Sequence, residues 1–401
     1  MLNSKTLLSI LLPILILLSG CQNILEGDVL IDDVPHMETQ PVSPPENYAI
    51  ASTYDELTEV MISLIRNHEY SGMIIVQNYD GDVQEDLDRA AHEVFHLDPL
   101  VGYSVAVIST DVSRIASQFE VEISIDYKRS RQQIDSIVTV MSYRELRAEL
   151  LAAMSEYRDE LVIRTSIRDI TVESLINLTR ETYYNNPLSI VIMPITAIEA
   201  FSALGNDYIF EFNFGHIYQV NILTENTTSL VGSVRRNAEA AYGENRAEIL
   251  LSLVETLVAA CIFDEEQART ISEHGAQNFA ATAFGALVTG GAVGEGFAMA
   301  YKALADELGI DCRVVLGQMD GMIHAWNIVS VDGNYYHVDV SMSARNGPET
   351  AFLKNDEDIK EAYTWDRGNT VRCLGDLTYW DVVGTETSLT EPTPEELELE
   401  P

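Results

Sequence analysis

Cations are scarce in this chain. Its 401 residues carry 24 Lys and Arg against 63 Asp and Glu, a formal net charge of −39. Nucleic acid, anionic lipid and anionic wall polymers all repel such a polyanion, which argues against nucleic-acid binding. The acidity suits solubility, cations or basic partners instead. Cysteine is rarer still: Cys21, Cys261, Cys312 and Cys373 are the only four. Apart from Cys21, three are too few for a disulfide framework, and an odd count leaves at least one thiol unpaired. Cys312 follows a helix inside an apolar strand and reads as a buried, inert thiol. No CxxC or Cys/His cluster of the zinc-binding kind is present, so no metal and no cofactor is expected. Long apolar runs are missing too, except at the start. There Leu7 to Leu18 is too short to span a bilayer comfortably and is interrupted by Pro13, which points to an export signal.

That start closes on Leu18-Ser19-Gly20-Cys21, which resembles the lipobox of bacterial lipoproteins. The resemblance implies that residues 1–20 are a signal peptide and that Cys21 carries a lipid. The expected location is the outer face of the bacterial membrane, anchored by acyl chains. Residues 21–48, polar and with Pro35, Pro41, Pro44 and Pro45, read as a tether. Residues 384–401 lack aromatics and any helical or strand period and read as a disordered acidic tail.

Between tether and tail the chain repeats itself. "TYDELTEVMISLIRNHE" parallels "SYRELRAELLAAMSEYRDE", and later segments follow at a steady offset. Tyr143 lies 89 residues after Tyr54, Pro187 88 after Pro99, and Phe214 87 after Tyr127. Each copy reads as a helix, a short strand, a second helix and two alternating strands. The fold class is therefore α+β, with two small repeat modules at 49–137 and 138–225. "NYDGDVQED" reads as a turn entering a helix with Asp82 as cap rather than a calcium loop. His92 and His96, one helical turn apart, have no third ligand in view and read as surface residues.

The remaining region, 226–383, holds the residues with chemistry in them. Phe297, Tyr301, Leu304 and Leu308 recur at helical spacing, and Gly309 ends that helix. Two strands follow, joined by Asp332-Gly333, a strong two-residue hairpin signal. If those two residues form the loop, cross-strand partners have numbers totalling 665. Asp339 then faces Trp326, His324 faces Ser341, and His324, Trp326, His337 and Asp339 share one face. His324 and Asp339 become diagonal neighbours, where a carboxylate can orient an imidazole.

"AFGALVTGGAVGEGFAMAYKALADELGIDCRVV", "HAWNIVSVDGNYYHVDV" and "AFLKNDEDIKEAYTWD" resemble the successive motifs of the bacterial transglutaminase-like domain. The resemblance implies a papain-like fold, with a cysteine nucleophile at the helix start, a histidine base and an orienting aspartate. By position His324 and Asp339 match the last two, and Gly294 stands where the cysteine belongs. Losing a nucleophile costs about a million-fold in turnover in a comparable triad enzyme. The expectation is thus a pseudoenzyme, a binding or scaffold module whose cleft takes peptide-like or protein ligands, including cell-wall peptides. Trp326, Glu295 and Tyr336 are the candidate binding residues. The alternative is an active cysteine-type transglutaminase, peptidase or amidase using His324 and Asp339. Ser330, Ser341 and Cys312 are expected to be out of reach of the vacated position. Water activated by His324, a metal on His324, His337 and Asp339, and a purely structural His/Asp pair are the other readings of these groups.

Overall fold

Side-chain caps set the helix starts of the two repeats. Thr53 accepts the Glu56 N–H and Ser142 accepts the Glu145 N–H, at equivalent positions. The computed structural model describes residues 48–274 and 277–384. Cys21 with the leader, the tether to residue 47 and the tail from residue 385 lie outside the described residues.

The first repeat comprises β1 (Ala49–Ala51), α1 (Tyr54–Arg66), β2 (Ser71–Val76), α2 (Val83–Leu97), α3 (Pro99–Ser104), β3 (Val105–Ile115) and β4 (Gln118–Tyr127). Asp82 caps α2, accepting the Gln84 and Glu85 N–H groups. A short linking helix α4 (Arg131–Asp135) leads to the second repeat: β5 (Val138–Val140), α5 (Tyr143–Ser155), β6 (Glu160–Thr165), α6 (Val172–Asn185), β7 (Ile195–Ser202) and β8 (Tyr208–Gly215). The sheets run β1-β2-β4-β3 and β5-β6-β8-β7, with the same parallel and antiparallel pairings. Register matches as well: Ile74 faces Val121 in one sheet, and Ile163 faces Phe210 in the other. The chain is mixed α+β with several small sheets.

The rest comprises α7 (Val220–Glu239), α8 (Arg246–Ala260), β9 (Ile262–Phe263), α9 (Glu265–His274), β10 (Gly291–Ala292), α10 (Gly294–Glu307), β11 (Cys312–Met319), β12 (Met322–Val331), β13 (Asn334–Val338), α11 (Val340–Asn346), α12 (Asp356–Ile359) and β14 (Tyr363–Trp365). A third sheet, β13-β12-β11-β14, packs on α10. Gly309 closes α10 in the left-handed region at φ +67°. The first repeat keeps a core of its own around Leu57, Met61, Val94 and Ile123. The second shares one continuous core with the C-terminal region, from Leu146 and Phe212 through Leu253 to Phe297 and Val329. The apolar interior therefore runs on past residue 225.

Asp332 and Gly333 both adopt positive φ, +49° and +85°, as a two-residue hairpin turn of the twisted kind requires. Pairing follows: Val331 faces Asn334 and Asn327 faces Val338, the register totalling 665. The ladder stops at Val338, three residues short of the Ser341 pairing that the sequence reading needs. Asp339 turns its carboxylate onto the Met342 N–H as the cap of α11. A residue that caps a helix leaves the strand, so Asp339 does not face Trp326, and Ser341 enters the helix instead of pairing with His324.

Candidate functional site

Three elements meet at the start of α10. Val293 precedes that helix without a side-chain cap, so the first turn carries no protein side chain on its free N–H groups. Two glycines stand in this turn for different reasons. At Gly296 a Cβ would lie 2.3 Å from the Ala280 carbonyl oxygen, so fixed backbone excludes any side chain. At Gly294 the nearest atoms to an added Cβ belong to a side chain: His324 Cε1 at 2.9 Å and Nδ1 at 3.0 Å. Backbone does not demand a glycine there. The imidazole simply leans into the space a side chain would occupy.

His324 is held from behind. Its Nε2 lies 2.6 Å from Asp339 Oδ2, and an ionised carboxylate only accepts, so Nε2 carries the proton and Nδ1 presents its lone pair. Asp339 is buried, 4% exposed, and its four acceptor positions are filled. Tyr363 Oη donates to Oδ2 at 2.9 Å; the Ser341 hydroxyl and the Met342 N–H reach Oδ1 at 2.8 and 3.0 Å. Burial raises the Asp339 pKa, but His324, Met342 and Ser341 outweigh it and hold the carboxyl below its ordinary value. Tyr363 moves the other way, raised by burial and then by the Asp339 charge. His324 is thus an oriented imidazole whose open Nδ1 points at Gly294, a residue with no side chain.

Among the described residues, no thiol stands beside His324. Cys261, Cys312 and Cys373 are buried, and burial pushes the Cys261 and Cys373 thiols up to about 12 and the Cys312 thiol higher still. Ser341 is closer than the sequence allows for. Its Oγ lies 3.5 Å from where a Gly294 Cβ would be, because α11 folds back toward the start of α10. Its hydroxyl proton is committed to Asp339, not to His324.

A second histidine lies underneath. The Trp326 indole N–H, a donor only, meets His337 Nδ1 at 3.0 Å. His337 Nδ1 must therefore accept, and Nε2–H donates to Asp356 Oδ1 at 3.0 Å. Asp356 Oδ1 also takes the Cys373 N–H at 3.1 Å. Among the described residues, His337, Asp356 and Cys373 place possible ligand atoms within 4.8 Å of one another. A metal on Nε2 would need the other ring nitrogen to donate, and the indole forbids that. The set assembled from sequence is divided as well, since Asp339 serves His324 and Asp356 serves His337. Burial, ahead of the Asp356 interaction, lowers the His337 pKa and favours the neutral ring.

The three candidate binding residues go to three places. Trp326, 1% exposed, is a floor beneath His324, with rings 6.2 Å apart and 19° from parallel. Glu295 borders the site but is tied to the second repeat, accepting the Tyr184 hydroxyl at 2.7 Å. Burial raises its pKa, and the Tyr184 bond offsets part of that rise. Tyr336 is not available to a ligand: strand alternation puts it on the face opposite His337, 2% exposed and pressed against Gly375. Tyr363 and Tyr184 were not proposed as site residues from sequence, and Ser341 was considered there only to be placed out of reach. Tyr363 lies within the quoted "EAYTWD" stretch, the one local signal that it belonged to the site.

A polar hollow of about 360 Å³ adjoins the helix start, lined by Asp264, Gln267, Asn278, Phe279, Ala280 and Thr289 with Gly291. Ala280 links the two, accepting the Val293 N–H at 2.9 Å.

No family model and no curated protein matches the sequence. Among solved structures, a transglutaminase aligns over 55% of this chain and 60% of its own length, at 11% identity and a TM-score of 0.27. A proposed cysteine protease from Cytophaga hutchinsonii aligns over 46% of this chain and 81% of its own, at 13% identity and a TM-score of 0.24. A proposed protease from Parabacteroides distasonis aligns over 68% and 43%, at 9% identity and a TM-score of 0.20. The chain thus spans about 60% of the transglutaminase structure's length. The chain bears a distant structural similarity to transglutaminase and cysteine-protease structures, and at these TM-scores the chemistry rests on the residues alone.

Proposed function

We propose that the C-terminal region is a non-covalent binding module built around a transglutaminase-like cleft without its nucleophile. A lipid on Cys21 holds it outside a bacterial membrane, and peptide-like ligands, including cell-wall peptides or partner proteins, are its guests. One observation carries the reading: the His324–Asp339 pair is fully oriented, yet its free Nδ1 faces the bare Cα of Gly294. The ring nitrogen and the polar hollow beside it offer hydrogen-bond partners to amides, and neither offers a group that forms an acyl intermediate.

The competing reading is an active acyl transferase or amidase. Ser341 is its best support, being the hydroxyl near the vacated position. Purified protein should neither incorporate a fluorescent amine into a glutamine-bearing acceptor nor cleave peptides. Iodoacetamide and fluorophosphonate reagents should leave the cleft unlabelled, while Gly294→Cys gains iodoacetamide labelling at neutral pH. Turnover by the wild-type chain that disappears in His324→Ala or Ser341→Ala would overturn the binding reading. The anchor is checked separately: labelled palmitate incorporated by cells should be lost in Cys21→Ser.

A further inference from the structure

The two repeats carry the same pair of carboxylates on the outer face of their sheets, and among the described residues only the second repeat's pair has an arginine on one of its members. In the second repeat Glu199 of β7 lies directly opposite Glu211 of β8. At the matching register of the first, Asp111 of β3 lies opposite Glu122 of β4. The apolar neighbours correspond as well: Val162 pairs with Glu211, and Met73 with Glu122. Like charges across a strand pair destabilise a sheet, so two such pairs need an account.

The second repeat has its answer in the molecule. Leu100 and Tyr103, on α3 of the first repeat, pack on Val162 and Ile209. Arg129, its guanidinium 5.2 Å above the Tyr103 ring, pairs with Glu211 at 2.6 Å. Glu211 is thereby 3% exposed. A leucine, a tyrosine and an arginine are what this face receives.

The first repeat's face has no such cover among the described residues. Asp111 and Glu122 are exposed and in no ion pair there, and Ile50 and Val107 on the flanking strands are 53% and 50% exposed. The chain's own outlying segments do not have the charge to fill it. Residues 22–47 hold six carboxylates and residues 385–401 hold six, with neither lysine nor arginine in either. A second copy is a poor fit, since its Leu100, Tyr103 and Arg129 are engaged internally and its net charge is −39. From this we infer that the outer face of the β1-β2-β4-β3 sheet docks a partner protein through a segment that sets an arginine between Asp111 and Glu122 and an apolar or tyrosine side chain over Met73. Complementary charge selects the partner and sets the register, as it does between the repeats.

The probe is the peptide acetyl-Leu-Tyr-Arg-amide, titrated into the full chain with methyl labels on isoleucine, methionine and valine. Resonances of Ile50, Met73 and Val107 should shift and saturate together. Replacing the peptide's arginine by glutamine should weaken binding about tenfold, as loss of a charge-assisted contact does. The double substitution Asp111→Asn/Glu122→Gln should weaken it equally and leave the melting temperature unchanged or raised. Equal weakening by Glu59→Gln/Glu239→Gln, an identical charge change elsewhere, would reveal bulk attraction to a polyanion and overturn the site. So would shifts away from the three methyls, or a melting temperature lowered by the Asp111/Glu122 substitution, which would mean those carboxylates are already engaged. Dimerisation abolished by that same substitution would give the face to a second copy and overturn the partner.

Discussion

Two histidines of one sheet each rest on an aspartate, and the surroundings give them opposite tasks. His324 has one nitrogen occupied by Asp339 and the other turned toward the bare helix start. His337 has both nitrogens occupied, by the Trp326 indole and by Asp356. A ring with a free lone pair can receive a ligand or a proton. A ring with none is a structural strut. Residue type and a nearby carboxylate are the same in both cases, so a His/Asp pair is not evidence of chemistry until the second nitrogen is accounted for.

The sharpest way to break this contrast is one substitution made twice. His337→Ala removes a 2% exposed ring, opens a cavity and leaves the Trp326 N–H and Asp356 without their partner. Cavity and unpaired polar groups together should cost about 4 kcal/mol in denaturant unfolding. A loss under 1 kcal/mol would mean that the buried chain is not the strut described here.

Much of this sheet was legible in advance because local chemistry fixed it. Asp332-Gly333 dictates the turn, the turn dictates the register, and the register brings His324 near Asp339. What remained hidden depends on where elements end and on contacts distant in sequence. Strand alternation continues through Asp339 on paper, but a carboxylate two positions before Ser341 serves better as a helix cap, and the ladder stops. Asp356 reaches His337 from 19 residues further on and Tyr363 reaches Asp339 from 24, through a connection that follows no period. Tyr184 lies 111 residues before Glu295, in a repeat whose core turned out to be continuous with that of the C-terminal region. Tyr336 illustrates the reverse error: being aromatic and close in sequence to Asp339 did not place it on the same face.

Acid should separate the two pairs next. His337 has its pKa lowered in the fold, so on acidification the unfolded chain takes up the proton first. Stability is full above the unfolded value of about 6.5 and falls as pH drops toward the folded one, by at most about 1.4 kcal/mol per pH unit. The Asp339 carboxyl, also lowered, contributes above about 4 and loses its contribution only as pH falls through its own depressed value. Stability against pH should therefore decline in two stages. The difference between wild type and His337→Ala isolates the upper stage, and a difference independent of pH between 4 and 7 would refute the neutral buried ring.

The smallest effect belongs to the partner substitution, and its smallness is the informative part. In His324→Ala, Asp339 keeps Tyr363, Ser341 and Met342 as donors, so no buried charge is stranded. The ring lies at the mouth of the site, 11% exposed, where water can replace it. Its removal should cost about 1 kcal/mol, a typical single-site loss and well below the cost at His337. Cleft binding should fall far more steeply than stability, because only His324 offers the free nitrogen. Equal losses of stability at the two histidines would erase the distinction between a strut and a receptor, leaving His324 as part of the frame.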